Sequence, residues 1–317
     1  MKTLRDIGEN ELLRQLLPRL PQQSGTVTGP GDDCAVLRLP GTSQDLLLTT
    51  DPVIEHQHFT PDTPPRLIGR KAIARAISDI AAMGGVPKWL LVNLVAPADS
   101  PLSRVRQIQN GLIQAAKTWR LGILGGDTAE GNSLELHTTA IGLIPRGTAI
   151  LRSGARPRDI IYVTGSLGAS WHQGNRHHLT FQPRLKAGQF LAKHRYATSM
   201  IDLSDGLATD LTRLLDASTC GAHVHADAIP ISPAARKTDA PLEHALSDGE
   251  DFELLFTVSL RKVRRFEAAW HQCFPRLPAT RIGEILSDPR RRQLLHPNAP
   301  PAPLHPTGFQ HFSPPAP

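Results

Sequence analysis

The chain has 317 residues, 40% of them apolar and 20% charged, enough for two ordinary domains with cores of their own. No apolar run is long enough to span a bilayer, and the N-terminus MKTLRDIGENELLRQLL lacks a secretory signal's apolar region, so a cytoplasmic protein without a membrane partner is expected. The net charge of +6 comes from scattered basic residues with few aromatics, against a nucleic-acid partner; Cys34, Cys220 and Cys273, far apart and without a C-x-x-C pair, argue against disulfides and thiolate zinc.

In chain order, the N-terminal segment reads as a short amphipathic helix with Leu12, Leu13, Leu16 and Leu17 on one side. Leu46 to Thr50 is a strand expected to end at Asp51. Leu67 to Met83 is helical by spacing: Ile73, Ile77 and Ile80 share one face, and Lys71, Arg75 and Asp79 another. Gly84-Gly85 stops that helix. Trp89 to Val95 reads as a buried strand, and Leu102 to Trp119 as a second amphipathic helix. Leu121 to Gly126 is a strand ending at Asp127, and Glu135 to Ile144 a longer one. A boundary is expected near Pro145-Arg146-Gly147. Beyond it, Ile160 to Gly165 and Phe252 to Val258 read as strands, and Leu207, Leu211, Leu214 and Leu215 as the buried stripe of a helix. The last twenty or so residues are proline-rich and cannot be regular throughout.

Four acidic motifs stand beside these apolar runs: Gly31-Asp32-Asp33, Thr49-Thr50-Asp51, Gly125-Gly126-Asp127-Thr128 and Asp202-Leu203-Ser204-Asp205. Asp79, on its helix, joins them. Each has a plain structural reading. Asp32 and Asp33 can complete a turn, Asp205 can cap a helix, and Asp79 can pair with Arg75 one turn away. Together they point further, because ligand sites of α/β proteins gather at strand ends. Carboxylates brought together there repel unless cations neutralise them. Hard oxygens with hydroxyls alongside favour magnesium over zinc. Neither G-x-x-x-x-G-K-[ST] nor G-x-G-x-x-G is present, so an ATP-using enzyme of this sequence would hold phosphate through metal ions and an arginine.

GDDCA, TTD, His58-Phe59, SDIAAMGG-P at 78–87 and GGDT resemble the N-terminal half of the thiamine-monophosphate kinase family. LRSGARPRDIIYVTGSLG, IDLSDGL, GEDFEL and GFQHF resemble its C-terminal half, in the same order and nearly end to end. The resemblance implies a mixed α/β, two-domain fold of the aminoimidazole ribonucleotide synthetase type. Residues 1–147 would form the ATP- and magnesium-binding and dimerisation domain, and 148–317 a C-terminal α/β domain with the proline-rich tail. It implies direct transfer of the γ-phosphate of ATP to thiamine monophosphate, the last step of thiamine diphosphate biosynthesis, by a homodimer using several Mg2+ ions. Asp33, Thr49, Thr50, Asp51, Asp79, Asp127, Asp202 and Asp205 match the residues that hold magnesium. Gly126, Asp127, Arg152 and Ser204 match ATP contacts, and His58, Glu250 and Phe309 match contacts to the acceptor.

The chain departs from the family in three places: a short stretch between Gly168 and Asp202, Asp248 where glycine is usual, and Pro30 ahead of the first acidic motif. Asp248 is expected either to help a thiazolium cation or to disturb its turn. Two rivals stand beside the kinase: another ATP-using enzyme of the superfamily, and a paralogue that binds metal and nucleotide without catalysis.

Overall fold

The computed structural model describes residues 2–309, 311 and 312. Two seven-stranded sheets carry the fold. The first contains β1 (Thr26–Thr28), β2 (Ala35–Arg38), β3 (Gln44–Ile54), β4 (Val86–Ala96), β5 (Gly122–Gly125), β6 (Thr128–Glu130) and β7 (Glu135–Pro145), in the order β1-β2-β3-β7-β4-β5 with β6 also against β4. The second contains β8 (Ile160–Thr164), β9 (Ala197–Asp202), β10 (Gly221–His225), β11 (Leu254–Val258), β12 (Ala279–Leu286), β13 (Arg292–His296) and β14 (Ala299–Pro303), in the order β14-β13-β10-β12-β8-β11-β9. Eight α-helices accompany them among the described residues: α1 (Leu4–Leu16), α2 (Pro65–Ala82), α3 (Leu102–Trp119), α4 (His177–Thr180), α5 (Leu185–Lys193), α6 (Leu207–Ser218), α7 (Pro241–Ser247) and α8 (Val263–Cys273). The fold is mixed α/β.

α2 organises the molecule. Its apolar residues Ile73, Ile77 and Ile80 are fully buried, and it packs on β3 and β7 of the first sheet, on β9 of the second, and on α3 and α5. Its core is shared: Leu47 and Ile77 lie in one apolar cluster with Tyr162, Met200 and Phe256. A second cluster under α6 joins Leu207, Leu211 and Leu215 to Ile161 and Leu255.

Three expectations change. β3 does not stop at Asp51 but runs to Ile54, because β2 pairs with it only as far as Leu48 while β7 pairs along its full length. Past Leu48 the strand is a free edge, where Pro52 costs no ladder bond. β4 is not buried on both faces: Trp89 and Leu91 are exposed, as are Ile123 and Leu124 of β5. α1 buries none of its residues and bends at Gly8, so its leucine side covers no core. In the tail, residues 299–303 do form a strand, β14, at the rim of the second sheet.

Candidate active site

The acidic motifs converge on α2. Helical spacing puts Lys71, Arg75, Ser78 and Asp79 on one stripe, with about 12 Å of axial rise from first to last. At the C-terminal end of this stripe, Asp33, Asp79 and Asp202 bring carboxylate oxygens within 4.8 Å of one another. Asp33 comes from the turn before β2, Asp79 from α2, and Asp202 from the last residue of β9. Thr49 on the open edge of β3 donates its hydroxyl to Asp79 at 2.5 Å, and Ser78 donates to Asp202 at 2.5 Å. Arg75 does not pair with Asp79; it reaches across to Asp51 and Glu250.

This cluster has the chemistry of a hard-cation site. Burial first, and then the charges of Asp51, Asp202 and Asp33, push the Asp79 carboxyl well above the usual range. Burial and Asp33 do the same to Asp202. Asp33 Oδ2 is buried and meets no hydrogen-bond donor among the described residues, while its Oδ1 accepts from Arg152 Nη2 at 2.7 Å. An oxygen without a donor, among carboxylates crowded beyond ordinary ionisation, is a site a divalent cation satisfies. The neighbouring Cys34 is buried, and burial raises its thiol well above normal, so no soft thiolate competes. Asp32 is lifted to about 7 by burial and by Asp33, and its carboxylate accepts from the Arg152 backbone amide at 3.1 and 3.2 Å.

The other end of the stripe holds a different set. Lys71 is fully buried; it donates to Glu250, to the His58 carbonyl at 2.7 Å, and lies 3.0 Å from His178 Nδ1. Burial pulls the Lys71 ammonium down to about 8 against the opposing pull of Glu250. Glu250 is partly buried, which by itself would raise its carboxyl, but Lys71, His178 and Arg75 hold it far below the usual range. Its backbone has φ 58, in the left-handed region, fixed by its amide donating to the Ser204 carbonyl at 2.7 Å. His58 accepts from the Ile54 amide through Nδ1 at 3.0 Å, which leaves the proton of a neutral ring on Nε2. His311 lies 6.4 Å from His58 and 4.9 Å from Phe309, ring centre to ring centre. Phe309 keeps 45% of its surface exposed and is tethered by its amide to the Asp205 carbonyl at 3.1 Å.

The remaining expected residues spread outward. Asp205 does not cap α6, whose N-cap is Gly206; its carboxylate pairs with Arg213, and Asp210 accepts from its amide. Thr50 is exposed on β3 and 3.4 Å from the Thr139 hydroxyl. Asp127 is not brought to the cluster. The strand order β3-β7-β4-β6 puts it three strand spacings from Asp51, about 14 Å between backbones. Gly126 beside it must be glycine, since a Cβ there would sit 1.8 Å from the Val92 carbonyl oxygen. Asp248 is tied down, accepting from the Ala169 amide at 2.8 Å and lying 2.9 Å from His244 Nδ1, so it fastens the shortened segment. Sequence reasoning did not single out Lys71, Ser78, His178 or Arg213; only the polar stripe of α2 signalled the first.

Residues 31–144 match the family model described as AIR synthase related protein, N-terminal domain. The thiamine-monophosphate kinase of Salmonella typhimurium is 36% identical over 97% of this chain and 99% of its own. That of Bacillus subtilis is 32% identical over 96% of this chain and 100% of its own. Among solved structures, AaThiL complexed with AMPPCP and TMP superposes with a TM-score of 0.82 at 28% identity, covering 98% of this chain and 99% of that one. This chain belongs to the thiamine-monophosphate kinase family.

Proposed function

We propose that this chain uses ATP to phosphorylate thiamine monophosphate to thiamine diphosphate, moving the γ-phosphate directly and in line along the stripe of α2. One observation carries the reading. Asp33, Asp79 and Asp202 converge within 4.8 Å at one end of the stripe, while Lys71, Glu250 and His58 meet at the other. The relative complexed with AMPPCP and TMP supports the same pair of ligands here.

Asp33, Asp79 and Asp202 would hold one magnesium ion, with Thr49, Asp51 and Asp205 around them, while Thr50 and Asp127, away from this cluster, would serve a further ion. Bound there, the ions neutralise two polyanions that otherwise repel, and so bring them to reacting distance. Arg152 and Ser204 border the nucleotide, and Gly126 with Asp127 serves it from the exposed face of the first sheet. At the acceptor end, the ionised Glu250 offers charge to a thiazolium cation. His58 offers an Nε2 proton, and the half-exposed Phe309 ring offers flat apolar surface. The acceptor phosphate is anionic near neutral pH, so no side chain need remove a proton from it. The chain's residues therefore bind, orient and neutralise, and no phosphoenzyme forms.

Trp89, Leu91 and Leu124 leave exposed apolar surface on the first sheet. In this reading it docks on a second copy to make a homodimer. A cytoplasmic location accords with the need for ATP. The test is conversion of thiamine monophosphate to thiamine diphosphate with ATP, with saturating Mg2+ and with chelator. Turnover is expected only with the metal, and Asp127→Asn is expected to abolish it while leaving the fold intact. No turnover with thiamine monophosphate, or equal turnover on free thiamine, sinks the reading.

A further inference from the structure

Arg75 touches both ends of the site, and it does so unevenly. Nη1 donates to Glu250 Oε1 at 2.7 Å, a short charge-assisted bond. Its other edge faces Asp51 more loosely, with Nη2 at 3.2 Å from Oδ1 and Nε at 3.5 Å from Oδ2. The guanidinium lies over the Phe252 ring, 5.7 Å from its centre, so its plane is held independently of Asp51. Glu250 has a second cation, Lys71, whereas Asp51 pairs with Arg75 alone among the described residues.

A cation that takes Asp51 displaces Arg75 from it. The displaced edge, Nε and Nη2, is a two-donor fork of the kind that grips phosphate oxygens. Glu250 and Phe252 keep it aimed into the space between the two ends of the stripe. We propose that Arg75 passes from Asp51 to the acceptor phosphate when a divalent cation binds Asp51, so that this side chain adds its own share to the coupling between metal and acceptor. The inference rests on the reading of Asp51 as a metal ligand and of the Glu250 end as the acceptor site. Cooperativity of this kind is reciprocal: the metal tightens the acceptor by the factor by which the acceptor tightens the metal.

The test uses the full chain without nucleotide. Binding of thiamine monophosphate is measured by calorimetry with and without saturating Mg2+, and Mn2+ binding by electron paramagnetic resonance with and without thiamine monophosphate. In the wild type each ligand is expected to tighten the other. In Arg75→Met, Mn2+ is expected to bind more tightly and the coupling factor to fall to the part that direct metal–phosphate attraction supplies. Thiamine monophosphate in the presence of Mg2+ is expected to weaken by about tenfold to a hundredfold, the loss of a charge-assisted bond. Arg75→Lys keeps the charge without the fork; it is expected to hold Mn2+ like the wild type and to lose most of Arg75's share of the coupling, and it carries the test should the methionine variant melt. Wild-type coupling in either folded variant, or none in the wild type, overturns the proposal. Unchanged Mn2+ binding in Asp51→Asn, or no thiamine monophosphate binding to any form, removes the underlying reading instead.

Discussion

At the scale of single residues, His58 links the site to pH. Burial first, then the nearby Arg75, Lys71 and His311, outweigh Glu250 and hold its imidazole at about 3. The folded value lies below that of an unfolded histidine, so the native state favours the neutral ring. Its contribution to stability is complete above about pH 6.5 and drains away as pH falls from there toward 3. By pH 5 the loss from this one group amounts to about 2 kcal/mol. Asparagine can accept the Ile54 amide without titrating. Urea unfolding between pH 7 and 5 is therefore expected to fall more steeply for the wild type than for His58→Asn; parallel curves would clear His58 of any part in acid sensitivity. The aspartates of this site were legible because short acidic motifs beside apolar runs are local features. Lys71 was not, because its partner Glu250 lies 179 residues away and only the fold joins them. Arg75 was readable as the neighbour of Asp79 on a helix, yet its bonds go to another strand and another sheet's loop.

At the scale of elements, α2 was predictable in length and phase because an apolar stripe of period 3.6 is written in its sequence. Its fit against α3 is not written that way. The two helices approach so closely that a Cβ on Gly111 would lie 2.1 Å from the Arg66 carbonyl oxygen, and one on Gly69 2.2 Å from that of Ile108. A methyl group there pushes backbone against backbone. Gly111→Ala is expected to lower stability by roughly 1–3 kcal/mol, the usual cost of overpacking, and thermal melting checks it. An unchanged melting temperature would mean that α3 can slide without consequence. The end of β3 is hidden for a related reason: the composition LLLTT marks a strand, but pairing with β7 alone decides that it continues through Asp51 and Pro52.

At the scale of the whole molecule, the mixed α/β pattern in two halves was visible, since helix and strand periods alternate along the chain. The way the halves share their core was not. Leu47 from the first sheet and Phe256 from the second pack into one cluster across α2, and the Ser78–Asp202 bond spans the same seam. Nor could β4 be seen as one-sided, because an apolar run reads as buried whatever finally covers it. If a second copy covers it, Trp89→Glu places charge in that interface. Sedimentation is expected to find a dimer for the wild type and monomer for the variant, and a dimer in both would move the contact elsewhere. The far rim of the second sheet meets the opposite demand. β14 reads Ala-Pro-Pro-Ala-Pro, and Pro300, Pro301 and Pro303 have no amide hydrogen to offer. A strand arriving from another molecule finds almost no ladder to extend there, so this border of the sheet is closed to fibre-like growth however crowded the solution becomes.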